Sequence, residues 1–128
     1  VPALVVDGQV QTSGQLPLRE GRPVVTGKVG AEVQPDQANE AAAVCALNAV
    51  AAAAQAAGGL DKLTRVLKVT GFVASAEGFT GQPGVVNGAS DLLAELFGEA
   101  GVHARSAVGV AELPLGVPVE VEVTFSIV

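Results

Sequence analysis

The last ten residues constrain the fold of this chain more than any other stretch. Val119, Val121, Val123, Phe125 and Ile127 alternate without a break with Glu120, Glu122, Thr124 and Ser126. Successive side chains of a strand point to opposite faces, so this segment needs a sheet with one buried face and one polar face. The remaining chain must supply helices for the apolar face and leave the glutamate face uncovered.

Two segments qualify as helices. One opens at Pro35-Asp36 and runs to Gly58-Gly59; the other runs from Pro83 to Phe97 and ends at Gly98. Proline near the start and glycine at the end follow the asymmetry of helix termini. Val44, Leu47 and Ala51 share a face of the first, and Leu92, Leu93 and Leu96 share a face of the second. These faces are expected to pack on the sheet. Leu4–Val6 and Gln9–Thr12 flank Asp7-Gly8 and read as a hairpin. Arg22–Val25 is a further short strand, followed by a loop punctuated by Gly27 and Gly30. Leu63–Ala74 and Arg105–Glu112 complete the strands before the last one. The order β-β-(β)-α-β-α-β-β predicts an α+β fold, a mixed β-sheet with two helices packed on one face, as a single domain over residues 1–128.

The helix–sheet contact is expected to be close. The chain is 49% hydrophobic, but Ala, Val and Leu dominate, with four Phe and no Trp or Tyr. Small side chains gain enough contact only when elements approach closely. The mean hydropathy of +0.48 in so short a chain also predicts that some apolar surface is buried between subunits. Ala41 to Gly59 is apolar, yet Asn48 and Gln55 interrupt it and Ala replaces Leu and Ile, which favours a buried helix over a membrane span. No secretory signal opens the chain, and a cytoplasmic location is expected. Thirteen acids against seven bases give a net charge of −6 without any Lys/Arg cluster, which argues against a nucleic-acid groove. The lone Cys45 excludes an intramolecular disulfide and a Cys-rich zinc site; a buried apolar thiol is favoured over a reactive one, since no Lys, Arg or His lies near it in sequence.

Few polar residues lie where chemistry is plausible. Arg105 stands on a strand of Ala, Val, Gly and Ser, and its guanidinium is either a fork for a carboxylate or a solvent-facing or ion-paired strand residue. Glu120 and Glu122 share a strand face about 7 Å apart, suited to acid–base work or to a solvated face. His103, the only histidine, is a general base or a loop-edge residue, with no Ser or Asp partner evident. Ser13-Gly14 offers a hydroxyl and a backbone N–H, or simply ends a strand. If the last two strands pair as a hairpin about Leu115-Gly116, Arg105 lies opposite Ser126 and Glu120 opposite Ala111. The two candidates are then about 20 Å apart and meet only through a neighbouring copy.

These segments together resemble the RidA (YjgF) family, also described as YjgF/L-PSP endoribonuclease-like. The strongest stretch is Ala104-Arg105-Ser106-Ala107-Val108, continuing through Val110-Ala111-Glu112-Leu113-Pro114 to Val119-Glu120-Val121-Glu122. Ser13-Gly14-Gln15-Leu16-Pro17, Lys68-Val69-Thr70-Gly71-Phe72-Val73 and Asn87 support it. The resemblance implies a chorismate-mutase-like (YjgF-type) homotrimer with sites in clefts between subunits. It implies hydrolysis of reactive enamine and imine intermediates of the 2-aminoacrylate type to 2-keto acids and ammonia, with no metal or organic cofactor. Arg105 would grip the substrate carboxylate and Glu120 would hold the attacking water. Ser13 and Gly14 would seat the substrate, and Asn87 and Ala107 would line the cleft. Three features depart from the family pattern: there is no tyrosine, Ala107 stands where a cysteine is frequent, and His103 stands where proline is usual. Non-catalytic binding of small carboxylates is the alternative, followed by ribonuclease activity or inhibition of translation, which lacks a basic stripe or aromatic platform.

Overall fold

Strict alternation in the last strand is realised at the centre of the sheet, where both of its edges are hydrogen-bonded. The computed structural model describes residues 1–128. In chain order it contains β1 (Ala3–Val6), β2 (Gln9–Thr12), β3 (Leu18–Arg19), β4 (Arg22–Pro23), α1 (Pro35–Ala57), β5 (Leu63–Ala74), α2 (Gln82–Phe97), β6 (Ala104–Val110) and β7 (Val119–Ile127). Five strands form a mixed sheet in the order β1-β2-β7-β5-β6, and β3 and β4 pair separately. The expected hairpin at Asp7-Gly8 is present, with φ of 48° and 76°, the left-handed conformations that a two-residue turn of this twist requires. The strand expected over Arg22–Val25 is shorter and belongs to the small β3–β4 ribbon.

The expected pairing of the last two strands is overturned. β6 runs parallel to β5, with Arg105 opposite Val69, whereas β7 runs antiparallel to β5 on its other side, with Glu120 opposite Phe72. The reason lies in the connections. α2 carries the chain from the end of β5 back to its start, so β6 docks as a parallel neighbour. Residues 111–118 then turn through Pro114–Gly116, with Leu115 at φ 58°, and cross the end of β5 to begin β7. The short connection spans one intervening strand and does not close a hairpin.

Both helices cover one face, as expected, but α1 presents a different stripe. Ala38, Ala41, Ala42, Cys45, Ala46, Ala49, Val50 and Ala53 are buried, whereas Leu47 is 54% exposed, Ala51 is exposed and Val44 only half-buried. The alanine stripe wins because it brings the helix axis closest to the Val-rich sheet, where Val69, Val119, Val121, Val123 and Phe125 are buried. In α2, Leu93 is buried with Val85, Val86 and Ala89, while Leu96 is 50% exposed. Gly88 touches the backbone carbonyl of Asn39, and Gly71 of β5 touches Val86, so α2 nests against both α1 and the sheet. α1 is long and apolar enough by length and composition to cross a membrane, and the face it buries here packs on the sheet.

Candidate active site

The sequence-predicted residues fall into two groups on opposite faces of the sheet. Arg105, Ala107 and Gly109 lie on the helix-covered side of β6, a free edge strand. Arg105 is in register with the buried Val69, and Ala107, in register with Gly71, packs against the core. Glu120 and Glu122 project from the uncovered face, in register with Phe72 and Thr70. Three residues of stagger (72 − 69) and two strand spacings separate the Arg105 and Glu120 Cα atoms by about 14 Å. Their side chains therefore do not meet within one chain.

Arg105 is held by α2. Its Nη1 donates to Asn87 Oδ1 at 2.8 Å and to Ser90 Oγ at 3.2 Å. Asn87 and Ser90 are one helical turn apart and face the same strand. Ser90 Oγ lies 2.9 Å from His103 Nε2, and His103 Nδ1 lies 2.6 Å from the carbonyl of Gly101. His103 thus has a serine partner that its place in the sequence did not reveal. The signal was available in principle: 87 and 90 repeat at helical spacing, 103 and 105 at strand spacing. Only the packing of α2 on β6 shows that the two pairs face each other.

The second group centres on Glu120. The turn at Ser13-Gly14 leaves β2 and is fastened to β7 by reciprocal backbone bonds between Gln15 and Val121, of 2.8 and 3.0 Å. This places Gly14 against the Glu120 carboxylate, where a Cβ would overlap Oε2. The Ser13 hydroxyl donates to the carbonyl of Val1. Burial raises the Glu120 carboxyl above the ordinary value of 4.5, and the like charge of Glu122 adds to the effect. A carboxyl displaced towards neutrality is suited to taking or returning a proton.

Elsewhere, a cleft of about 590 Å³ lies at the end of the sheet, lined by Thr26, Lys28, Glu32, Glu112, Leu115 and others, with Lys28 and Glu112 paired at 3.1 Å. It contains none of the candidate site residues Arg105, Glu120, Ser13, Gly14, Asn87 and Ala107. The Lys28 backbone N–H donates to Glu32 at 2.9 Å, and this bond is the main reason the Glu32 carboxyl sits below 4.5. Cys45 is fully buried beneath β7, and burial, followed by the charge of Glu120, pushes its thiol far above its ordinary range. No three His, Cys, Asp or Glu side chains converge as a metal-ligand group would.

A mixed sheet with two helices on one face, an arginine fixed at a free edge and a carboxylate beside a glycine turn on the open face define an α+β domain of the chorismate-mutase-like type. The family described as "YjgF/chorismate_mutase-like, putative endoribonuclease" matches residues 1–123, and the chain belongs to this YjgF/L-PSP family. Protein TCP17 of Trypanosoma cruzi is 47% identical over 115 residues, 89% of this chain and 72% of that protein. A crystal structure from Agrobacterium tumefaciens, of a protein of unknown function, superposes with a TM-score of 0.96 at 44% identity, covering 99% of this chain and 82% of the other. A Shewanella oneidensis protein described as a putative endoribonuclease gives 0.95 at 31% identity, over 99% and 84% of the two chains. Escherichia coli TdcF with bound serine gives 0.67 at 25% identity, over 98% and 86%.

Proposed function

We propose that this protein hydrolyses enamine and imine intermediates of the 2-aminoacrylate type to 2-keto acids and ammonia, in clefts formed between the subunits of a homotrimer. The observation that carries this reading is the division of the candidate residues into two half-sites, an anchored arginine at a free strand edge and a raised carboxyl on an uncovered sheet face. Each half lacks what the other supplies, and a second copy of the chain is the simplest way to join them. The uncovered face carries apolar side chains suited to a partner: Leu4 is 57% exposed, Val6 39% and Val108 42%.

In the joined site Arg105 binds the substrate carboxylate, which orients the adjacent imine carbon. Glu120 accepts a proton from water as its oxygen adds to that carbon, and the imine nitrogen takes up a proton. Collapse of the carbinolamine forms the keto acid carbonyl and releases ammonia. Gly14 keeps the approach to Glu120 open, because any side chain there would occupy the position of the carboxylate. Asn87 and Ala107 border the anchor, and Ser13 borders the turn.

A second reading is binding of small carboxylates without turnover, supported by TdcF, a more distant relative whose crystal structure holds serine. Ribonuclease activity, present in the family description, is disfavoured by a net charge of −6. The test is ammonia or keto-acid release from enzymatically generated 2-iminopropanoate, with wild type and Arg105→Ala side by side. Acceleration lost in the variant is expected. A folded trimer that gives no acceleration overturns the deaminase reading and favours simple carboxylate binding.

A further inference from the structure

We propose that Ser90 and His103 are positioning residues that fix Arg105 so that it receives a carboxylate side-on, through Nε and Nη2 only. The proposal rests on Arg105 being the carboxylate anchor of the reading above, and it adds which edge of the guanidinium is available and what holds it there.

A guanidinium has five N–H donors, two of them on Nη1. Both Nη1 protons are engaged, one by Asn87 Oδ1 at 2.8 Å and one by Ser90 Oγ at 3.2 Å. The end-on fork, which needs one proton from each terminal nitrogen, is therefore closed. The side-on fork, Nε–H with one Nη2–H, is the remaining bidentate edge.

The direction of the supporting chain follows from its far end. The Gly101 carbonyl can only accept, so His103 Nδ1 donates to it across 2.6 Å. In the tautomer that carries its one proton on Nδ1, Nε2 is an acceptor, and the Ser90 hydroxyl donates to it across 2.9 Å. With its proton directed at His103, Ser90 turns a lone pair to Arg105 Nη1. The Gly101 carbonyl, His103, Ser90 and Arg105 thus form one directed chain. Gly101 is buried and Ser90, His103 and Arg105 are half-buried, with Ser90 on α2, Arg105 on β6 and Gly101 and His103 in the connection between them. An arginine on an edge strand otherwise samples many rotamers, and restraining it before the ligand arrives improves binding without adding a contact to the ligand.

The experiment titrates pyruvate, and separately its uncharged isostere pyruvamide, into wild type, Ser90→Ala, His103→Ala and His103→Gln, with the fold of each checked by circular dichroism. Glutamine carries a carbonyl oxygen near the position of Nε2 and can accept from Ser90. We expect pyruvate to bind about three- to tenfold more weakly to the two alanine variants, with most of the loss restored in His103→Gln and pyruvamide binding unaltered. Because the chain has one histidine, its imidazole nitrogens give a single set of ¹⁵N signals, and these should report the Nδ1–H tautomer. An Nε2–H tautomer overturns the proposal, as does unchanged pyruvate binding in folded Ser90→Ala and His103→Ala, or an equal loss for pyruvamide. Wild type that does not bind pyruvate removes the anchor and the proposal with it. Wild type that binds pyruvate but does not speed imine hydrolysis refutes the deaminase reading alone, and the variant comparison still decides the role of Ser90 and His103.

Discussion

Gly14 lies against the carboxylate of Glu120 so closely that a methyl group at Gly14 would overlap Oε2. The contact joins the turn after β2 to the polar face of β7, and it is fastened by the paired backbone bonds of Gln15 and Val121. The obstacle to a larger residue is the tip of a flexible side chain and not backbone. Gly14→Ala is therefore expected to lower stability by only about 1 kcal/mol, the scale of one off-rotamer side chain. The same shift displaces the carboxylate, and kcat/KM for imine hydrolysis should fall by about 10- to 100-fold. Urea denaturation and the coupled ammonia assay measure the two effects separately; a stability loss without a rate loss would contradict the role given to Glu120.

Gly88 meets an obstacle that cannot move aside. A Cβ there would overlap the backbone carbonyl of Asn39, where α2 crosses α1. Replacing a glycine inside an exposed helix with alanine normally stabilises by about 1 kcal/mol. Here the clash reverses the sign, and Gly88→Ala should destabilise by about 1–3 kcal/mol in urea denaturation. A stabilised variant would show that the two helices pack less closely than described.

Glu120 should also act against stability at neutral pH. Its carboxyl is raised above 4.5 by burial and by Glu122, so the folded chain holds the proton more tightly than the unfolded chain does. Its contribution is most favourable below the unfolded value and is lost as pH rises through the folded one. Glu120→Gln is thus expected to melt above wild type at pH 7, with the gap closing as pH falls towards 4.5. Differential scanning calorimetry across that range reads the sign directly; a gap that widens on acidification contradicts it.

Arg105→Lys tests geometry rather than charge. A lysine keeps the cation but not the planar fork, and it cannot bond Asn87 and Ser90 while also offering two parallel donors to a ligand. Keto-acid binding by calorimetric titration should weaken by about tenfold or more, which corresponds to loss of at least one charge-assisted hydrogen bond. Binding equal to wild type would reduce Arg105 to a source of positive potential.

Cys45 should be inert in the native protein. Its side chain is fully buried under β7, and burial holds the thiol proton on. A disulfide reagent such as DTNB at pH 8 is expected to leave the native protein unmodified and to titrate one equivalent after denaturation. Rapid native reaction would require an opening of the α1–sheet contact that the packing does not provide.

Local features of the chain were legible because they depend on period and backbone preference. The alternation of Val119–Ile127 foretold which side of β7 is buried, Asp7-Gly8 the first turn, and the proline and glycine flanks the ends of both helices. Arg105 and Glu120 stood out as candidates for an equally local reason, since charges are conspicuous on Val- and Ala-rich strands. Periodicity alone did not say which face of α1 would turn inwards. Larger residues at Val44 and Leu47 suggested one stripe, and the alanines won because close approach yields more contact than side-chain bulk does.

The order of strands, the partners of β6 and the contact between Ser90 and His103 were decided only by the tertiary structure. Strand edges carry the same row of N–H and C=O groups whatever their neighbour, so alternation assigns faces but not partners. The choice of β5 as the neighbour of both β6 and β7 comes from laying α2 across the sheet, a burial spread over residues far apart in the chain. That same packing fixes the arginine at the free edge and leaves Glu120 on the other face of the sheet.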